Sequence, residues 1–405
     1  MKRIANVILG VVTSIGGFAE AGSLSTSLQA GAEFGFALLW TIPLAALMLA
    51  MLLEMSGRLS ALSGRTYAAA VRDRFGAHVQ CGMLVVELLL DLLLLTAELG
   101  GVAVAVELVT GVAFHWWLVP VAIAAGMLLW LGTFAVIEDG LGLLGLVTLV
   151  FAVVAWRLHP AMPQIAAGLL PSKPTHDAAS YAFIAVSIVG ATVSPYLLNF
   201  YASGAVEEEW TERDLWSNRI TSFAGIGFGA LVSVAALVCA ALVLAPQHVK
   251  VDSLEQAASV LNPILHSWGV PLFALALGIG CFGAAVEIAL NAGYVAAQGF
   301  GWTWGANKHR LETARFSVAM TLMLIAGLIV AAFGFNPMRV TLISVGIAVI
   351  FMPIVVLPLL VLMNDDRFVK SHRNGPIGNA ALALLVILGA LLAVVVVPLQ
   401  VIGGG

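Results

Sequence analysis

Apolar stretches long enough to cross a lipid bilayer follow one another along almost the whole chain, and little else constrains its folding as strongly. A membrane-spanning helix needs about 20 predominantly apolar residues. Eleven such spans are predicted, near residues 4–33, 35–57, 80–110, 116–137, 140–157, 178–203, 217–245, 269–299, 314–334, 338–363 and 379–401. With 61% hydrophobic and 10% charged residues, an ordinary soluble globular protein is excluded. The expectation is an all-α polytopic membrane protein, partnered by the lipid bilayer, with residues 1–405 as one transmembrane domain.

Basic residues near the span ends set the orientation. With the N-terminus inside, fourteen of the 18 Lys and Arg are cytoplasmic; Arg157, Lys173, Lys250 and Arg339 are external. The predicted location is the plasma (inner) membrane, with a cytoplasmic N-terminus and an external C-terminus. Met1-Lys2-Arg3, the apolar run after it and Ala19-Glu20-Ala21 mimic a cleavable secretory signal. The expectation is that this segment is retained as the first span.

That span is interrupted. Ile15 to Leu28 reads IGGFAEAGSLSTSL, placing a carboxylate, glycines and hydroxyls at membrane depth. In lipid every backbone N–H and C=O needs a partner, so such a break survives only around a cavity or a bound solute. Glu20 is therefore the first candidate site residue. The sixth span carries Gly190-Ala191-Thr192-Val193-Ser194-Pro195-Tyr196, where proline removes a backbone donor. A simple kink is the plainer reading. The second break comes five spans after the first, the arrangement of LeuT-type alternating-access transporters, with a five-plus-five inverted repeat and discontinuous helices one and six. Repeat one would cover about 4–157, repeat two about 178–363, and a further helix about 379–401.

Glu20, Glu87, Asp91, Glu98 and Glu287 are expected inside the membrane, with no Lys or Arg at mid-span to neutralise them. A bare carboxylate there is costly, so the acids are protonated or visited by a cation. At about 100° per residue, Glu87 to Asp91 turns a net of roughly 40° and Glu87 to Glu98 roughly 20°. These three share one face over ~16 Å, as a proton relay would, or as neutral acids bonded to adjacent helices would. Gly100 and Gly101 beside Glu98 allow close helix approach. Asn291 follows Glu287 by one turn, and Glu54 precedes Arg58 at the pairing distance of four residues.

The eight histidines fall in loops or at span ends, and Cys81, Cys239 and Cys281 form no ligand motif. No Ser/His/Asp arrangement, zinc-protease signature or Walker motif is present, so the chain is not read as an enzyme or a primary pump. No basic patch supports nucleic-acid binding. The sequence carries no sign of a cofactor.

The run Ser27 to Trp40, SLQAGAEFGFALLW, together with Ala97-Glu98, Gly190 to Pro195 and Pro353 to Leu362, resembles the NRAMP family of divalent-metal transporters over nearly the whole chain. The resemblance implies the LeuT-type fold, eleven or twelve helices, and proton-coupled uptake of manganese or iron. It also shows departures. The family's Asp-Pro-Gly-Asn falls on Glu20-Ala21-Gly22-Ser23, and its Met-Pro-His on Ser194-Pro195-Tyr196. The aspartate before the span-three glutamate appears as Leu95, and the span-ten glutamine as Phe351. Loss of the thioether removes the preference for softer metals. One carboxylate with hydroxyls and carbonyls suits a hard, partly hydrated ion such as Mg²⁺, and a divergent branch of the family is associated with magnesium.

The predicted function is thus secondary transport of a divalent cation, Mg²⁺ or Mn²⁺. Glu20, Ser23 and Ser194 are the candidate metal ligands, with carbonyls near Ala19 and Ala191 and the side chain of Tyr196 completing the substrate site. Glu98, Asp91 and Glu87 are the candidate proton path. The competing expectation is a small organic solute, amino-acid-like or ammonium-bearing, in a pocket including Tyr196, Tyr201 and Phe351.

Overall fold

Proline and glycine punctuate a chain that is otherwise helical in this computed structural model, which describes residues 20–391 apart from Thr175. The elements used below are α1 (Ala21–Phe34), α2 (Thr41–Ser63), α3 (Tyr67–Phe75), α4 (Ala77–Thr110), α5 (Leu118–Leu131), α6 (Phe134–Gly145), α7 (Val150–Arg157), α8 (Ala178–Thr192), α9 (Pro195–Glu207), α10 (Ile226–Val243), α11 (Gly269–Phe300), α12 (Ala314–Ala331), α13 (Pro337–Leu362) and α14 (Pro376–Leu391). Among the described residues, nine helical stretches are long and apolar enough to cross a membrane. They coincide with the second to tenth predicted spans. α1 and α14 are the described parts of the first and last, and residues 4–19 of the first span lie outside the described residues.

Helix ends follow local chemistry. Asn336 caps α13 through its side-chain oxygen, which accepts from Met338 N at 2.9 Å, and Pro337 occupies the first helical position, where no donor is needed. Thr66 caps α3 by accepting from Ala69 N at 3.3 Å. This short helix was not among the predicted spans. The second span begins later than expected. Gly35 adopts φ 58°, ending α1, and the next five residues form turns, so α2 starts at Thr41.

Packing relies on small residues, because lipid offers no hydrophobic drive for helices to associate. α4 and α11 form the most extensive pair, while α1 lies along α10 and α8 along α13. A side chain at Gly31 would collide with the Leu237 carbonyl of α10, and one at Gly190 with the Val345 carbonyl of α13. Gly100 likewise admits Pro337, and Gly101 admits Cys281. α14 has a specific seat. Pro353 cannot donate to the Val349 carbonyl one turn earlier, and Gly389 packs against both of these groups.

One further junction ties distant elements together. Glu207, at the end of α9, accepts from Tyr294 Oη at 3.0 Å and from the backbone N–H of Ala306. The loop carrying Ala306 also presents Asn307 Oδ1 to Phe134 N at 3.1 Å, at the start of α6.

Candidate functional site

α8 stops where proline dictates. In an unbroken helix Ala191 O would accept from residue 195, but Pro195 has no N–H. The hydroxyl of Ser194 substitutes, donating to Ala191 O at 3.2 Å. Val193 (φ −98°, ψ 62°) and Ser194 (φ −75°, ψ 132°) leave helical geometry, and α9 restarts at Pro195. Ala191 O keeps a second lone pair, and the Ser194 oxygen keeps both of its own.

α1 begins directly after Glu20, whose backbone is extended (φ −86°, ψ 173°). Its side chain is 1% exposed. Tyr196 Oη, in the first turn of α9, donates to Glu20 Oε2 at 3.3 Å, so the break between α8 and α9 adjoins the start of α1. Gly22 backs onto the same place: a methyl built there would lie 3.3 Å from Ala191 Cβ and 3.4 Å from Glu20 Oε1. Ser23 follows in the first turn of α1, buried. Glu20, Ser23, Ala191, Ser194 and Tyr196 are thus gathered in one region. Ala19 lies outside the described residues.

Glu98 approaches from α4. Its Oε2 accepts the Ala21 N–H at 3.2 Å, one of the donors that the start of α1 leaves without a helical partner. The Cys281 side chain of α11 reaches the same carboxyl. Glu287 on α11 also lies near enough to interact electrostatically with Glu20. It makes no hydrogen bond among the described residues. Asn291, one turn after Glu287, turns instead to α4.

The face shared by the three acids of α4 therefore divides. Glu98 meets the helix break, whereas Glu87 and Asp91 join a separate buried network. Asn199 Nδ2 of α9 donates to Glu87 Oε1 and Oε2 at 2.7 and 2.6 Å. Asn291 Nδ2 donates to Glu87 Oε1 at 3.1 Å and to Asp91 Oδ2 at 2.9 Å. Tyr201, a candidate for an organic-solute pocket, donates to Asn218 Oδ1 at 2.9 Å beside α2, away from Glu20. Phe351 is half-buried on α13.

Sequence reasoning missed Asn199. The available signal was an amide one turn after Tyr196, inside an apolar span. Chemically the region offers a carboxylate, hydroxyls and a carbonyl relieved of its helical donor, with the Cys281 thiol of α11 beside Glu98 and Ala21. Among the described residues, no three His, Cys, Asp or Glu side chains come together as a metal cluster. Backbone and hydroxyl oxygens would have to supply the rest of any cation's shell.

Comparison with known proteins identifies the fold and the family. The chain is 26% identical over 391 residues to the divalent metal cation transporter MntH of Aeromonas hydrophila subsp. hydrophila, covering 92% of this chain and 90% of that one. Its structure is similar to that of the Eremococcus coleocola manganese transporter in complex with an aromatic bis-isothiourea substituted compound, with a TM-score of 0.80 at 19% identity, covering 99% and 88% of the two chains. It is also similar to Mhp1, a nucleobase-cation-symport-1 family transporter, with a TM-score of 0.63 at 14% identity, covering 97% and 91%. These structural likenesses show the fold, of LeuT type. The model of the natural resistance-associated macrophage protein-like family matches residues 10–398, and the chain belongs to that family.

Proposed function

We propose that this protein is a secondary transporter that moves a divalent cation by alternating access, with the ion meeting Glu20 between the breaks of helices one and six. The carrying observation is the 3.3 Å contact of Tyr196 with Glu20, close to a carbonyl that lacks its helical donor and to two hydroxyl residues. Family membership supports the substrate class, since relatives include a divalent metal cation transporter and a manganese transporter. Members of the family are transporters, not enzymes.

Within this reading Glu20 is the charged ligand, and Ser23, Ser194 and the carbonyls of Ala19 and Ala191 complete the shell. The ligand set is hard oxygen throughout, favouring Mg²⁺, then Mn²⁺, over softer ions. Such an ion would keep some of its waters. Glu98 is the acid best placed to exchange protons with the site, and Asp91 and Glu87 continue the route along α4. Residues of about 4–157 and 178–363 form the two repeats, and the N-terminus faces the cytoplasm.

Calorimetry on purified protein with Mg²⁺ and Mn²⁺, paired with uptake into proteoliposomes, tests the proposal. Saturable binding and uptake, both lost in Glu20→Ala, are expected. Absence of any metal-binding heat, with stabilisation by an amino-acid-like or ammonium-bearing compound, would replace the cargo.

A further inference from the structure

The network around Glu87 and Asp91 has a hydrogen-bond ledger that does not close. Asp91 is 1% and Asn291 0% exposed, yet Asp91 Oδ1 and Asn291 Oδ1 have no donor among the described residues. These are the oxygens beside an existing contact, because Asn291 Nδ2 already donates to Asp91 Oδ2 at 2.9 Å. The orientation of the Asn291 amide follows from its neighbours: reversed, its oxygen would face Glu87 Oε1 and Asp91 Oδ2, two further acceptors. Each orphaned buried acceptor carries a desolvation cost, and the remedy for both is a single donor between them.

We propose that Asp91 and Asn291 form a proton-holding site, in which a proton on Asp91 Oδ1 is donated to Asn291 Oδ1 and closes a two-hydrogen-bond acid–amide ring. Glu87 is the anionic partner. It accepts three donations, two from Asn199 and one from Asn291, and needs no proton to satisfy its oxygens. The groups facing the pair are consistent with this division. From α9 come the neutral Asn199 and Ser203, and from α11 Asn291 and Gln298. From α3 come Tyr67, whose hydroxyl is engaged by Val355 O, and Arg72, which donates to Gln298 O at 3.1 Å. No Lys or Arg pairs with Glu87 or Asp91 among the described residues.

A cation would fit less well. The place where the two carboxylates converge is filled by the Asn291 NH₂ group, a donor, which leaves few oxygens free to surround an ion. The site is separate from the helix breaks, since Glu98 bonds to Ala21 and not to this network. When the proton leaves, Asp91 becomes an anion and Asn291 Oδ1 loses its donor. Gln80 Oε1 and Gln298 Oε1, two more buried acceptors without donors, would line a departure route past Ser203. That route matters to transport only if the proposed proton coupling holds; the ring itself is tested without transport.

The test compares two neutralising variants by thermal melting of purified protein in detergent, in sodium, choline and Mg²⁺ salts. Asp91→Asn keeps the ring, its amide donating where the acid proton did, and is expected to melt at or above wild type. Glu87→Gln turns an NH₂ group toward Asn199 and Asn291 and is expected to melt several degrees lower. Infrared difference spectra of wild type against Asp91→Asn should show loss of one protonated-carboxyl carbonyl band that shifts in D₂O. Equal destabilisation by both variants, or no band lost from Asp91→Asn, would overturn the ring. Stabilisation of wild type by Na⁺ or Mg²⁺ that vanishes in Asp91→Asn would replace the proton with a cation. Loss of metal binding in Glu20→Ala bears on the transport reading alone.

Discussion

Tyr196 and Glu20, 176 residues apart in sequence, are joined by a hydroxyl–carboxylate hydrogen bond of 3.3 Å that bridges the break before α9 and the start of α1. The tyrosine therefore competes with any cation for the same oxygen. Tyr196→Phe should tighten Mg²⁺ binding by a few-fold, since ~1 kcal/mol corresponds to about a factor of five. Calorimetry against wild type measures this. Weaker binding would make Tyr196 a ligand of the cargo instead of a competitor.

Glu98 supports the start of α1 and is the proposed proton site. Glu98→Gln keeps an acceptor for the Ala21 N–H and should cost about 1 kcal/mol or less. Glu98→Ala also strands a buried donor, at about 1–3 kcal/mol. Thermal melts should rank wild type, Gln, then Ala. Proton-coupled uptake through Glu98 would lose its pH dependence in both variants; an unchanged pH profile in proteoliposomes removes Glu98 from the proton path.

Gly31 and Gly190 each face a backbone carbonyl of a neighbouring helix. Gly31→Ala and Gly190→Ala should each cost roughly 1–3 kcal/mol through overpacking. Gly227 and Gly346 supply the control, because nothing lies within 4 Å of a methyl built at either. Alanine there should be neutral or mildly stabilising, since it favours helix. Similar melting temperatures for all four variants would contradict the packing described.

Asp365 lies outside the membrane spans and gives the protein a predictable acid response. Hydrogen bonds from the Arg367 side chain, then its backbone N–H and the charges of Arg367 and Arg74, hold its carboxyl well below the usual range. A depressed folded-state value means that the stabilisation is present above the unfolded aspartate value of ~4 and is lost as pH falls below it. Wild type should lose stability in that acid range through this group, while Asp365→Asn should not. At a partly solvated pair the difference is ~1 kcal/mol or less. Melting curves across acid pH, identical for the two proteins, would refute this.

Spans were legible because lipid demands length and apolarity, which composition records directly. The start of α2 was not. Gly35 to Trp40 is nearly all apolar, so hydropathy could not separate a turn from a helix there. The breaks showed in the sequence through Gly190, Ser194, Pro195 and the residues around Glu20, whose backbone chemistry is local. Partnerships between helices left no such trace. Angular position placed Glu87, Asp91 and Glu98 together, but α1 claims Glu98 while α9 and α11 claim the other two. Asn291 shares a face with Glu287, yet its amide reaches across to α4, because two carboxylates there accept its hydrogens.

α9 has a chemical grip at each end: Tyr196 on Glu20, and Glu207 on Tyr294 and Ala306. At 1.5 Å per residue its 13 residues make a strut of about 20 Å. A strut held at both ends cannot swing at one without straining or releasing the other. Any tilt that opens a path to Glu20 is paid for at the far anchorage, and the loop that carries Ala306 then registers what happens at the centre of the membrane.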